Sequence, residues 1–91
     1  MATIRNDGLT ADHIKSIIQL HETLEKMYTN KEIFPIAFAN SLTDYMQYIA
    51  QSGEISYTVA AIYTDMILGT VQRGTFKTEG IQILKTYNSI P

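Results

Sequence analysis

Cysteine is absent from the chain. No disulfide can therefore reinforce a thin core, and zinc sites built on thiolates are excluded. Long apolar runs are missing as well. The longest, residues 59–63, falls far short of the roughly 20 residues that a membrane-spanning helix needs, as do residues 66–68. Residues 1–9 contain one arginine and no apolar core segment, so they do not read as a secretion signal. Together these absences predict a cytoplasmic protein.

Charge of one sign never accumulates. Seven basic and nine acidic residues are interspersed, for a formal net charge of −2. Nucleic-acid binding draws most of its affinity from neutralised phosphates and requires a basic stripe. None is visible, so no nucleic-acid partner is expected. Charged residues make up 18% and apolar residues 45%. Such a surplus either fills a small core or remains on the surface for a protein partner or for peripheral contact with a membrane.

The groups that catalysis requires are equally scarce. His13 and His21 are the two histidines. Eight residues apart on one helix, they point about 80° apart around its axis, whereas a helical metal pair needs a four-residue step. His21 falls on an apolar stripe with Glu25 one turn on, and reads as a core-boundary histidine bonded to a neighbour. Ser16, Ser41, Ser52, Ser56 and Ser89 lack the surroundings of an activated nucleophile. Gly69 and Gly74 have neither the spacing nor the lysine of a phosphate loop. A small helical mutase would need several cations for a dianionic substrate, and Arg5 and Arg73 are the only arginines. No enzyme activity, cofactor or metal is expected. A helix-turn-helix is disfavoured too, because a recognition helix beginning Tyr57-Thr58-Val59-Ala60-Ala61 has no Lys or Arg before Arg73.

What is present is helical periodicity. Ninety-one residues make one domain, 1–91, burying only about 60% of its unfolded surface. Glycine and proline divide it into four segments. In residues 11–28, Ile14, Ile17, Ile18, His21, Leu24 and Tyr28 form one stripe. Thr10 suits the N-cap and Asp12 the first turn, with Asn30 as a stop. In residues 35–52, Pro35 suits the first helical position and Phe38, Leu42, Tyr45, Met46 and Ile49 form the apolar face, with Gly53 as a left-handed stop. Residues 57–73 carry Val59, Ile62, Tyr63, Met66, Ile67 and Val71 over four turns, capped by Ser56 and ended at Arg73-Gly74. The β-branched and aromatic content of residues 55–64 leaves a strand as the alternative. Gly69 costs about 1 kcal/mol relative to Ala unless a neighbouring helix packs closely there. In residues 76–88, Phe76, Ile81, Ile83, Leu84 and Tyr87 lie mostly on one side, and Gly80 weakens the helix. The economical arrangement is all-α: an antiparallel four-helix bundle whose fourth helix is short or partly frayed. Six tyrosines, at 28, 45, 48, 57, 63 and 87, suit either half-buried seams or a binding patch.

One stretch, residues 32–66, resembles the immunity proteins that protect lactic acid bacteria from pediocin-like bacteriocins, the enterocin A immunity type in particular. The similar residues are Glu32-Ile33-Phe34-Pro35, Asn40, Leu42, Tyr45, Ala50, Ile55, Tyr57 and Thr58, followed by Ile62-Tyr63 and preceded by Leu24-Glu25-Lys26. No residue of this pattern is catalytic; it is a packing signature. The resemblance implies a monomeric cytosolic four-helix bundle. Such a protein guards the producer cell from the inner membrane face by contact with the bacteriocin–receptor complex, the receptor being the membrane part of the mannose phosphotransferase system. Because specificity in such proteins is attributed to the C-terminal half, it would place the partner surface on Phe76, Ile81, Leu84 and Tyr87. Those four would serve equally to dock the last segment onto the bundle. The alternative function is a helical interaction module, such as a phage- or plasmid-encoded regulator that sequesters a host protein.

Overall fold

A computed structural model describes residues 10–51 and 56–88. Four α-helices follow one another, α1 (Ala11–Met27), α2 (Ile33–Gln51), α3 (Tyr57–Gln72) and α4 (Ile81–Asn88), with a π-helical turn, Phe76–Gly80, leading into α4. No strand occurs among the described residues. The strand alternative fails over residues 57–64, which lie in α3; Ile55 and Gly53 lie outside the described residues.

Local chemistry sets most boundaries. The Thr10 hydroxyl accepts a hydrogen bond from the His13 N–H at 3.1 Å, and the Ser56 hydroxyl accepts one from the Val59 N–H at 3.2 Å. Each satisfies a donor that the first helical turn leaves without a partner. Asn30 does not act as the stop for α1, which ends at Met27 with Tyr28 in extended conformation. Instead it opens α2. Its side-chain oxygen accepts from the Glu32 N–H at 2.8 Å, and its carbonyl accepts from Ile33 and Phe34 at 3.1 Å each. The helix consequently begins at Ile33, two residues before Pro35. Pro35 is tolerated because the first four helical N–H groups need no intrahelical partner. At the end of α3, Gly74 takes φ of +75°, a left-handed stop that suits glycine.

Ring and side-chain proximities define the topology. His21 and Phe34 meet at 5.0 Å, while His13 meets Tyr45 at 6.2 Å, so the end of α1 lies beside the start of α2 and the two run antiparallel. Ile36 and Leu68 line one depression while Gln47 and Tyr57 line another, giving α2 and α3 opposite directions. Tyr63 stacks on Tyr87, and Gly80 abuts Thr70, reversing the chain once more. The result is an antiparallel four-helix bundle with a short last helix.

Its core draws on every element: Ile14 and Ile17 of α1, Phe38, Leu42, Met46 and Ile49 of α2, Ile67 and Val71 of α3, then Phe76, Leu84 and Tyr87. Two buried threonines on α3 are satisfied by their own helix. Thr64 donates to the Ala60 carbonyl at 2.7 Å and Thr70 to the Ile67 carbonyl at 2.6 Å, so neither carries an unpaired hydroxyl into the core.

Gly80 is the position where structure departs most from expectation. A Cβ there would stand 2.5 Å from Phe76 Cδ1 and 2.7 Å from Thr70 Oγ1. Rather than a weak point, it is the place where the last segment approaches α3 most closely. The π turn accompanies that approach. Thr75 O accepts from both Glu79 and Gly80, at 2.8 and 3.3 Å, and Ile81 reaches back to Phe76.

Candidate functional site

Of the four residues expected at a partner surface, Phe76, Leu84 and Tyr87 are buried and Ile81 is half-buried. Phe76 stacks on the His21 ring at 4.1 Å, and Tyr87 stacks on Tyr63. They hold the π turn and α4 on the bundle. A partner could reach Phe76, Leu84 and Tyr87 only by lifting that segment away.

Phe76 leads to a buried histidine. All three phenylalanines of the chain gather around His21: Phe76 face to face, with Phe34 and Phe38 edge-on at 5.0 and 5.1 Å. His21 is 3% exposed, and its Nδ1 is buried with no hydrogen-bond partner. Instead of the bonded boundary histidine that periodicity suggests, the ring behaves as a fourth aromatic in the cluster. Burial pushes its pKa below the usual 6.5; Glu25 opposes this, Lys77 adds to it, and Glu22 opposes it least. Beside the ring lies a pocket of about 150 Å³ bordered by Glu25, Phe34, Phe76 and Lys77. Among the described residues no three His, Asp or Glu side chains converge as metal ligands. Its neutral ring packs.

The outer face of the α2–α3 hairpin is different. Ile33, Ile36 and Tyr48 on α2, with Tyr57, Ile62 and Met66 on α3, are large apolar side chains left exposed, Ile36 at 62% and Tyr48 at 69%. Charge is nearly absent. From Glu32 to Gln72 the sequence contains no lysine or arginine, and its charged residues are Glu32, Asp44, Glu54 and Asp65. Helices apolar around most of their circumference are normally enclosed on all sides; these are not. Two depressions lie along the α2–α3 seam. One, of about 320 Å³, is bordered by Thr43, Gln47, Tyr57, Ala61 and Asp65. The other, of about 100 Å³, is bordered by Pro35, Ile36, Ala39, Leu68 and Gln72. The cation-free stretch was a readable signal of this surface. Periodicity alone ranks Ile62 and Met66 as core, because it detects a stripe and not what covers it.

Comparison with family models, curated proteins and solved structures finds no match to this chain. No described helix is long and apolar enough to cross a membrane. The exposed side of α2 and α3 carries apolar groups and acids but no cation, a surface able to bury area against another molecule.

Proposed function

We propose that this protein is an immunity protein that shields its producer from a pediocin-like bacteriocin, acting by contact with the bacteriocin–receptor complex at the membrane, the receptor being of the mannose phosphotransferase type. The observation that carries the reading is a coincidence of position. The stretch resembling those proteins, residues 32–66, forms α2 and most of α3, and this hairpin bears the exposed apolar face. A protein that worked by contact would need such a face, and the bundle supplies the antiparallel helical frame that the resemblance implies. Contact is assigned to the hairpin face in preference to Phe76, Leu84 and Tyr87, since use of these three would break the packing of the last segment. Association with the membrane is peripheral and follows the receptor.

The test is expression of the chain in a bacteriocin-sensitive strain, scored for survival against a panel of pediocin-like peptides. Survival against at least one peptide supports the reading. Killing by every peptide, with the protein shown to be present and folded, rejects it.

A further inference from the structure

The α2–α3 seam has a geometry that narrows what can cover it. Residues seven apart border its two depressions on both helices, Ala61 and Leu68 on α3 and Thr43 and Ile36 on α2. Seven residues of helix rise about 10.5 Å, two turns. A helix laid along the seam would therefore present side chains i and i+7 to the two depressions. This is the anchor spacing of helix-in-groove recognition. Small residues at the seam, Ala39, Thr43 and Ala61, let a third helix come close, as ridge-into-groove packing requires.

Charge selects among the possible occupants. Asp65 borders the larger depression, Asp44 is exposed on α2, and no cation occurs between Lys31 and Arg73. A second copy packed face to face would oppose acid to acid. An anionic bilayer surface would meet no basic residue from these two helices, although basic residues are what such a surface attracts.

We infer that the α2–α3 seam is a docking groove for a basic amphipathic helix, one that inserts two apolar side chains two turns apart and sets lysine or arginine beside Asp44 and Asp65. The inference rests on the contact-acting reading above but not on protection itself, and a binding measurement separates the two.

The probe is a helical peptide of about five turns, with leucine at the two anchor positions and lysine along the flanks. A second peptide has the same leucines and glutamate for each lysine. Binding to the full chain is followed by fluorescence anisotropy at low and physiological salt. The lysine peptide should bind at least about tenfold tighter than the glutamate peptide at low salt, with the gap narrowing as salt rises. Ala61→Arg fills the larger depression with bulk and positive charge and should abolish binding. Gln82→Arg makes the same change of net charge on exposed α4 and should leave it intact. Asp65→Asn should weaken binding by up to about fivefold, the range of one exposed ion pair.

Circular dichroism and urea melts on each variant separate a lost groove from a lost fold. Equal binding of the two peptides overturns the inference. So does undiminished binding by a folded Ala61→Arg chain, or a concentration-dependent dimer that Ala61→Arg disperses. Cell protection by the native chain together with equal binding of the two peptides would leave the immunity reading standing and remove the groove; no protection, with the lysine peptide selectively bound, would do the reverse.

Discussion

The molecule has two halves with opposite habits. α1 and the C-terminal segment keep charge outside and, Met27 apart, cover their large apolar groups at least in part, and they are linked across the surface by Lys77 Nζ and Glu25 Oε1 at 3.2 Å. The α2–α3 hairpin is apolar inside and outside exposes large apolar residues beside polar and acidic ones. Its apolar residues therefore fall into two populations of the same chemical class and different work: Phe38, Leu42 and Ile67 are fully buried, while Ile36, Ile62 and Met66 are exposed. Burial, not residue type, decides which of them stabilises the fold. That difference can be broken experimentally.

The largest effect belongs to the core. Leu42→Ala or Phe38→Ala should cost about 3–5 kcal/mol, combining lost transfer energy with a residual cavity, a large share of a total stability of about 5–15 kcal/mol. Ile62→Ala should shift stability by less than about 0.5 kcal/mol. Urea melts on the two variants measure both. A comparable cost for Ile62→Ala would mean that the outer face is not free, and the division between the two populations would fail.

The helical glycines offer the next contrast, with opposite signs. Gly80→Ala must displace Phe76 and Thr70, both buried. We expect a loss of about 1–3 kcal/mol, although alanine is the better helix former. At Gly69 a Cβ meets only the tip of Arg73, an Nη1 at 3.2 Å, on a side chain 59% exposed. No neighbouring helix comes within contact distance of a Cβ at Gly69. Gly69→Ala should therefore stabilise α3 by about 0.5–1 kcal/mol. Thermal melts of the two variants should move in opposite directions.

His21 gives a smaller effect that depends on pH. Its folded pKa lies below the unfolded 6.5, so the unfolded chain binds the proton more readily. Its contribution is fully present above about pH 6.5 and is lost as pH falls through the window between 6.5 and the lowered folded value. Facing groups act on both sides: Glu25 and Glu22 favour the proton and Lys77 opposes it. Urea midpoints should decline on acidification below about pH 6.5, and His21→Phe should flatten that decline, since carboxylate titration lies mostly lower. An unchanged slope in His21→Phe would show that the ring already accommodates the proton.

The smallest effect should come from the link between Lys77 and Glu25. Both side chains are well exposed, so Lys77→Met should change stability by less than about 1 kcal/mol and less still in high salt. A larger loss would show that the last segment depends on charge as well as on its buried rings.

Much of the architecture was legible in the residues. Stripes at three- and four-residue steps, Thr10 and Ser56 as caps, and Gly74 as a stop were enough to find three helices nearly to their ends. All are local: a cap is satisfied within three residues and a stripe within one helix. Asn30 was misread because one side chain can end one helix or open the next, and neighbouring turns decide which. The placement of the last segment's apolar residues was less legible. Phe76, Ile81, Leu84 and Tyr87 make a convincing apolar side whether that side faces inward or outward.

By itself, then, the sequence determined the number and approximate bounds of the helices, the absence of any span of membrane length among 91 residues, and the lack of cations from position 32 to 72. Tertiary structure alone decided that three phenylalanines from two elements close around His21, that Gly80 is a contact and not a weakness, and that the uncovered apolar surface lies on α2 and α3. The reason is physical. Helix formation is settled by neighbours a few residues away, whereas which face is covered depends on side chains distant in the chain.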